Sequence, residues 1–296
     1  MSNKSTISGF TFIKNGLTLG YPILESILSI SPFCDEVIIN VGFDDPELKV
    51  DDGTYQYLRE HLSDSKYKFL KNCWDPEMTK DGLILSEQTN LALKECIGDY
   101  CQYIQGDEAI HQDDISSILN GIKFLDENSS VDGLIYNYMH FYGNVDTYKY
   151  TRSLYRREVR LIRNHKGIKS WLDAQGFRHQ NETKIQARLI DARIFHYGWA
   201  RATQVMKKKV GFFGTLYHGK DHKEKEFRYQ KSWGLRKFKK THPEVMKKWI
   251  SENRNDLNFE RMPLTLDWNV PGLLISDLIE YLTNYRVGEY KNYRIF

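Results

Sequence analysis

The chain has 296 residues, of which 41% are hydrophobic and 14% aromatic, so it can build a sizeable core and wholesale disorder is excluded. Its formal charge of +3 is small for this length, and the composition therefore requires no nucleic-acid partner. There is no signal-like apolar core near the N-terminus and no uncharged apolar run of about eighteen residues. The four cysteines lack metal-like pairing, which favours reduced thiols: Cys34, Cys73, Cys96 and Cys101. We expect a cytoplasmic protein, with attachment to a membrane surface as an alternative.

Strand and helix patterns alternate through the first hundred residues. They predict a strand at 7–13, a helix from Leu19 to Pro32, a strand at 36–42, a helix at 54–62, a strand at 67–70 and a helix capped by Ser86. The nearly continuous apolar run at 36–42 is typical of a parallel strand that is covered on both faces. This alternation predicts a doubly wound α/β sheet.

The next strand ends in two adjacent acids. The apolar and aromatic run 100–104 predicts a buried strand, and Gly106, Asp107 and Glu108 follow it. Because ligands bind outside the carboxyl ends of parallel strands, these acids lie where a small molecule would bind. Two carboxylates suit Mg²⁺ or Mn²⁺ carrying phosphate oxygens. An acidic loop that leads into a helix is the alternative.

The remaining chain mixes strands and helices. The patterns predict a helix capped by Asp113 or Asp114, strands at 133–142, 157–163 and 189–197, an irregular segment at 168–179, a helix from about 201 and a late amphipathic helix at 273–282. Residues 220–248 are dense in Lys and Arg with interleaved aromatics. They predict either a solvated helical face or a surface for an anionic substrate, a lipid phosphate or a membrane.

Four motifs in residues 7–210 carry a family resemblance. They are the first strand ending in Lys14-Asn15 with the later Asp35-Glu-Val-Ile-Ile-Asn-Val-Gly-Phe-Asp-Asp45, then Gln88-Thr-Asn90, Gln105-Gly-Asp107-Glu108, and Ile194-Phe-His-Tyr-Gly-Trp-Ala-Arg201. Together they resemble the family 2 glycosyltransferases of the GT-A fold, and the third looks like the DxD metal motif. The resemblance implies a GT-A-like mixed sheet with a Rossmann-like nucleotide-sugar half at about 1–110, an acceptor half at about 111–215, and a basic, aromatic, mainly helical extension at 216–296.

The resemblance also implies a reaction. Such enzymes transfer a sugar from a nucleotide-diphosphate sugar to a glycan or another hydroxyl acceptor, and the family implies inversion and a divalent metal, Mn²⁺ or Mg²⁺. Asp107 would be the principal metal ligand, with Glu108 as a second ligand or a structural neighbour. Gln105 stands where the first acid of DxD is expected, so we expect His196 to compensate as a ligand. A core histidine satisfied by the backbone is the alternative for His196.

The same resemblance implies a set of donor-binding residues at the strand ends. The nucleotide sugar would contact Phe12, Asn15, Asn40, Asp45, Gln88, Gln105, Asp107, Trp199 and Arg201. Asn40 and Asp45 could equally be turn-formers, which is the commonest use of these residue types. Arg201 would meet diphosphate charge, together with Lys207, as a loop closes. Exposed helix charges are the competing interpretation.

An inverting transferase needs a general base for the acceptor hydroxyl. We expect Asp173, within Ser170-Trp-Leu-Asp-Ala-Gln, to be that base, beside Trp171, which could stack on a sugar. Asp113 and Asp114 are rivals, and a loop or helix cap is the structural alternative for Asp173.

Other functions remain open at this point. A nucleotidyltransferase would share the sheet and the acids, although Ile13-Lys-Asn-Gly16 is a poor phosphate loop. A non-catalytic module that binds nucleotide sugars or glycans is favoured by the missing first acid. A basic RNA-binding role has only residues 220–248 in its favour, and we expect no nucleic-acid partner.

Overall fold

The computed structural model describes residues 5–219, 226–255, 257–265 and 270–296. The strands are β1 (Ile7–Ile13), β2 (Glu36–Phe43), β3 (Tyr67–Cys73), β4 (Tyr100–Tyr103), β5 (Glu108–Ile110), β6 (Gly133–Tyr142), β7 (Asn144–Lys149), β8 (Arg157–Arg163), β9 (Ile168–Trp171), β10 (Gly176–His179), β11 (Ile185–Trp199), β12 (Leu235–Lys237) and β13 (Tyr293–Ile295). The helices are α1 (Ile23–Ile30), α2 (Thr54–His61), α3 (Leu83–Lys94), α4 (Ile115–Glu127), α5 (Thr203–His218), α6 (Lys247–Asn253) and α7 (Val270–Thr283).

One half of the main sheet is parallel. Its strand order is β4-β1-β2-β3, with Phe10 opposite Ile38 on one side and opposite Tyr103 on the other. Every residue of β2 is buried, as expected for a strand that is covered on both faces. The carboxyl ends of these strands therefore meet at one edge of the sheet, which is where such folds bind ligands.

The other half of the sheet is mixed. Antiparallel β8 joins β4 to β6, and β6 continues through β7 to β12. The long strand β11 runs parallel to β6 and also pairs with β5 and β13. The predicted α/β class with a mixed sheet is confirmed by this order. The C-terminal residues 235–237 and 293–295 extend the same sheet.

Among the elements that differ from the sequence predictions are α3 and the segment 168–179. Helix α3 begins at Leu83, because Gly82 starts it with a left-handed φ of 67°. Ser86 therefore lies inside the helix, where its hydroxyl donates to the Leu83 carbonyl at 3.0 Å. Residues 168–179 form the β9–β10 hairpin instead of an irregular segment.

The basic stretch 220–248 is described only in part, because residues 220–225 lie outside the described residues. Its remainder contains β12, a 3₁₀ turn at Glu244–Met246 and the start of α6, and the described part is not one long helix. Across the described portion of the chain, the helices are all too short or too polar to span a bilayer.

Candidate active site

A cavity of about 380 Å³ lies at the carboxyl ends of β1 and β4. Its volume is in the range of small-molecule sites, about 300–1,000 Å³. The polar and charged side chains that line it are Lys14, Gln105, Asp107, Asp173, Gln175, His196 and Lys209. The aromatic ones are Phe12, Tyr21, Trp74, Tyr155, Trp199, Phe212, Phe213 and Tyr217. A second cavity of about 470 Å³, around Trp233 and Gly288, is lined by none of the predicted site residues.

The end of β1 supplies one wall of the first cavity. The Phe12 ring lies 6.0 Å from the Trp74 ring, and the Lys14 ammonium lies 5.6 Å from the centre of the same indole. Lys14 is largely buried and pairs with Asp44 at 2.5 Å. This wall offers flat apolar surface beside a fixed positive charge.

Helix α5 closes the opposite side. Residues 209, 212, 213 and 217 recur at the spacing of one helical face, and their side chains all line the cavity. The carbonyls of Leu216 and Tyr217 accept from the backbone of Gly82 and Asp81 at 3.4 Å, which ties the end of α5 to the start of α3.

The centre of the site is an ion pair between Asp107 and Lys209. Lys209 Nζ lies 3.0 Å from Asp107 Oδ2 and donates to the Gly198 carbonyl at 2.9 Å. Burial opposes ionisation of Asp107, but Lys209 and then His196 outweigh it, so the pKa of this carboxyl lies well below its usual value. Burial lowers the pKa of Lys209 to about 8 against the opposing charge of Asp107. The pair is therefore charged at neutral pH.

Three aromatic rings surround the same ammonium. The ring centres lie 5.2, 5.7 and 5.4 Å from Lys209 Nζ and belong to Tyr21, Trp199 and Phe213. Aromatic faces attract a cation and exclude water from it. The charge of Lys209 is thus held at a fixed point of the cavity wall.

His196 approaches Asp107 from β11. Its Nε2 lies 3.5 Å from Asp107 Oδ2, and its Nδ1 lies 3.2 Å from His140 Nδ1. His140 donates from Nε2 to the Tyr155 carbonyl at 2.7 Å, and burial lowers its pKa to about 3. A neutral His140 with its proton on Nε2 accepts from His196 Nδ1, and the Nε2 edge of the His196 ring therefore faces Asp107.

Glu108 faces away from this cavity into the core. Both of its carboxyl oxygens are engaged, because Arg160 donates to them at 2.9 and 3.2 Å and Tyr138 donates at 2.7 Å. Glu108 and Arg160 are fully buried. The structure therefore makes Glu108 the partner of a core arginine and gives it no open oxygen for a cation.

The predicted metal ligands Asp107, Glu108 and His196 are not assembled around one point. Glu108 is saturated, and the Asp107 oxygen nearest His196 already holds the Lys209 ammonium. The Gln105 amide nitrogen donates to the Tyr103 hydroxyl at 3.2 Å. Among the described residues, no three His, Cys, Asp or Glu side chains form a group that could hold a metal ion. This donor set does not fit Mg²⁺ or Mn²⁺, which prefer several free oxygen ligands.

Asp173 lies in the turn of the β9–β10 hairpin and lines the cavity. Leu172 and Ala174 on either side have left-handed φ values of 50° and 60°, which turn the chain sharply there. The Tyr217 hydroxyl of α5 donates to Asp173 Oδ2 at 3.1 Å. The rival acids do not line the cavity, since Asp114 pairs with Arg193 at 2.7 Å and Asp113 is exposed.

Several predicted donor-binding residues lie outside the cavity. Asn40 is buried, donates to the Gln88 side chain at 3.1 Å and to its carbonyl at 2.9 Å, and so links β2 to α3. Asp45 accepts from the backbone of Lys49 and Val50, which shapes an exposed loop. These three residues stabilise the fold around the site, and none of them lines it.

Asn15 and Arg201 also lie outside the cavity lining. Asn15 has a left-handed φ of 53° and forms the turn after β1. Arg201 is buried, donates to the Gly198 carbonyl at 2.7 Å and to the Leu19 carbonyl, and stacks 4.3 Å from the Tyr21 ring. Arg201 therefore supports the cavity wall from behind. Lys207, its predicted companion, is exposed and pairs with Glu226 at 2.7 Å.

The cavity thus brings together six of the predicted residues: Phe12, Gln105, Asp107, Asp173, His196 and Trp199. Lys209 and Trp74 are the main residues that the sequence analysis missed. Lys209 is one of three consecutive lysines, and residue type alone does not distinguish it from its exposed neighbours. The helical spacing of Lys209 with Phe212 and Phe213 was the available signal.

No family model and no curated protein matches the chain. Among solved structures it is similar to S. aureus TarS 1–349 in complex with UDP, with 18% identity over 47% of this chain and 37% of that one and a TM-score of 0.32. It is similar to the mannosyltransferase PcManGT from Pyrobaculum calidifontis in complex with GDP-Man and Mn²⁺, with 16% identity over 45% and 35% and a TM-score of 0.34. S. aureus TarS gives 15% identity over 71% and 39% and a TM-score of 0.39. The chain spans less than two fifths of each of these solved chains, so its function has to be inferred from its own site.

Proposed function

We propose that this chain is a glycosyltransferase that moves a sugar from a nucleotide-diphosphate sugar to a hydroxyl of a glycan or another acceptor. One observation carries the proposal: a single cavity at the carboxyl edge of the parallel strands combines an aromatic wall, a buried ammonium–carboxylate pair and a separate carboxylate. In sugar transfer from a nucleotide, these three features can serve the base, the diphosphate and the acceptor proton.

The donor would lie between β1 and α5. Phe12 and Trp74 supply flat apolar surface for a nucleobase, and Gln105 supplies an amide for a ribose hydroxyl. Lys14 and Lys209 supply positive charge for the diphosphate. Because both ammonium groups are largely buried, their attraction for phosphate is weakly screened by solvent.

The acceptor would enter beside Asp173. Its carboxylate takes the proton of the attacking hydroxyl, and the acceptor oxygen forms a bond to the anomeric carbon of the sugar. The bond from that carbon to the diphosphate oxygen breaks, and its electron pair leaves on the nucleoside diphosphate. Trp199, which is 37% exposed at the same cavity, offers a ring on which a sugar can stack. Attack opposite the leaving group inverts the anomeric centre.

The proposal is tested with a panel of UDP-, GDP- and dTDP-sugars on the full chain, with and without acceptor oligosaccharides. We expect at least one donor to raise the melting temperature and to release its nucleoside diphosphate. Stabilisation without release across the acceptors would favour a non-catalytic binding module. Release of pyrophosphate when a sugar phosphate and a nucleoside triphosphate are supplied would identify a nucleotidyltransferase. No stabilisation by any donor would contradict the proposal.

A further inference from the structure

The identity of the cation at the diphosphate site follows from the contacts of Asp107. The family resemblance predicts a divalent metal held by Asp107, Glu108 and His196. In the structure the carboxylate oxygens of Glu108 accept hydrogen bonds from Arg160 and Tyr138. Gln105 stands where the DxD motif has its first acid. One carboxylate remains, and it already faces a cation that belongs to the chain itself.

That cation is the Lys209 ammonium. An ammonium has three N–H donors, and the described residues accept two of them, at Asp107 Oδ2 and at the Gly198 carbonyl. Lys209 lines the cavity, and so a donor remains for a ligand there. Its position is fixed by α5 and by the surrounding rings, so no reorganisation is needed when an anion arrives.

A metal ion and this ammonium exclude one another. A divalent ion bound to Asp107 Oδ2 would lie a few ångströms from Lys209 Nζ, which is 3.0 Å from the same oxygen. Two cations at that separation in a buried site repel strongly, because little solvent screens them. The single negative charge of Asp107 cannot neutralise both.

We propose that the Lys209 ammonium supplies the positive charge that a divalent cation would supply to the donor diphosphate, so that the chain binds nucleoside diphosphates without a metal. This inference rests on the proposed glycosyltransferase function. As the bond between the anomeric carbon and the diphosphate oxygen breaks, Lys209 donates a hydrogen bond to the departing diphosphate and keeps its proton. The acceptor proton goes to Asp173, and so all charges balance without a co-reactant.

The test is calorimetric titration of UDP, GDP and dTDP into the full chain, once with EDTA and once with Mn²⁺. We expect at least one of them to bind with the same affinity, within about twofold, under both conditions. We expect Lys209→Met to weaken that binding in EDTA by about ten- to a hundredfold, which is typical of a lost charge-assisted hydrogen bond. Lys208→Met is the matched control, because Lys208 is exposed on the same helix, and it should bind like the wild type.

The outcomes separate this inference from the function on which it rests. Binding that requires Mn²⁺ in the wild type overturns the inference and leaves the proposed function standing. Failure of all three nucleotides to bind under both conditions overturns the proposed function and the inference with it. Lys209→Met leaves Asp107 unpaired and can fail to fold for that reason. In that case two other variants replace it: Lys209→Arg, and the double variant Asp107→Asn with Lys209→Met. Lys209→Arg should keep binding in EDTA, and the neutral pair should lose it; equal binding by both overturns the inference.

Discussion

Asp107 and Glu108 are neighbours in the chain, but their carboxylates face different surroundings. Asp107 faces the cavity and Lys209, whereas Glu108 faces the core and Arg160. Asp107 lies in a turn that the Glu108 N–H closes on the Gln105 carbonyl at 3.0 Å, whereas Glu108 is the first residue of β5, which pairs with β11. The chain changes from turn to strand between the two residues, so their side chains need not share a face. The sequence predicted the acidic turn and left Glu108 either as a second metal ligand or as a structural neighbour of Asp107; its contacts with Arg160 and Tyr138 favour the second interpretation.

Glu108→Gln tests this division of roles. Removing one partner of a fully buried ion pair leaves Arg160 as an uncompensated charge, and we expect the free energy of unfolding to fall by about 3–5 kcal/mol. Urea denaturation measures the change. Glu47→Gln is the control, because Glu47 pairs with Lys49 on the surface, and it should change stability by less than about 1 kcal/mol. A Glu108 variant as stable as the control would mean that the pair does not hold the core.

Asp173→Asn tests the general base. We expect the rate of nucleoside diphosphate release in the presence of acceptor to fall by about 10²–10⁴, as is typical when a general base is lost. Donor binding should stay unchanged, because the variant keeps the shape of the side chain and the contact with Tyr217. Asp113→Asn, at the exposed rival position, should leave the rate unchanged. Full activity of Asp173→Asn would remove this residue from the mechanism.

Glu158 predicts a pH dependence of stability. It is fully buried and accepts from the Gln175 amide at 2.7 Å, and burial raises its pKa from an ordinary 4.5 to about 7. Because the pKa is raised in the folded state, the protonated carboxyl of Glu158 contributes stability that is complete below pH 4.5 and is lost as the pH rises through 7. Between pH 5 and 8, this group should lower the free energy of unfolding of the wild type by about 3 kcal/mol.

Glu158→Gln should remove that loss. The free energy of unfolding, measured in urea at pH 5, 6, 7 and 8, should fall less steeply with pH for the variant than for the wild type. The comparison of the two curves cancels the contributions of the histidines, which are common to both proteins. Parallel curves would show that Glu158 is ionised in the folded state across this range.

At the scale of elements, β11 delivers His196 and Trp199 to the cavity, and Gly198 lies between them. A Cβ at Gly198 would lie 2.6 Å from Asp107 Oδ2 and 2.6 Å from His196 Nε2, closer than real Cβ contacts allow. We expect Gly198→Ala to displace both side chains and to weaken nucleoside diphosphate binding more than tenfold in calorimetric titration.

Gly211→Ala is the matched control for this prediction. Gly211 lies in α5, where a Cβ would meet nothing within 4 Å, so the substitution should leave binding unchanged. It should also stabilise the helix by up to about 1 kcal/mol, because alanine is the better helix former. Binding by Gly198→Ala that equals that of Gly211→Ala would contradict the assigned geometry.

Strands and helices could be predicted where a single hydrophobic period dominated their sequence. The buried apolar runs of β1 and β2 and the spacing in α1 predicted those elements, because burial on both faces or on one helical face leaves a clear period. The β9–β10 hairpin was missed, because its strands have four residues each and its turn uses non-glycine residues at positive φ. Short strands of that kind are defined by their partners more than by their own sequence.

At the scale of the whole molecule, the site is a meeting of distant segments. Lys209, Asp107 and Asp173 come from α5, the end of β4 and a hairpin turn, and tertiary packing alone brings them together. The sheet class and the position of the site at its carboxyl edge could be predicted, since both follow from the alternation of strands and helices. Residue type alone could not predict which of Lys207, Lys208 and Lys209 is buried, because the three side chains are identical.

In the proposed complex, a nucleotide sugar binds between the ends of β1 and β4 and helix α5. Hydrogen–deuterium exchange of the full chain, with and without a saturating donor from the panel, tests it most directly. We predict that the donor slows amide exchange at residues 12–16, 104–107, 196–199 and 209–217. Exchange at the second cavity around Trp233 should be the same with and without the donor. Protection confined to that second cavity, or no protection at these four segments when the donor is bound, would show that the nucleotide sugar does not bind between β1, β4 and α5.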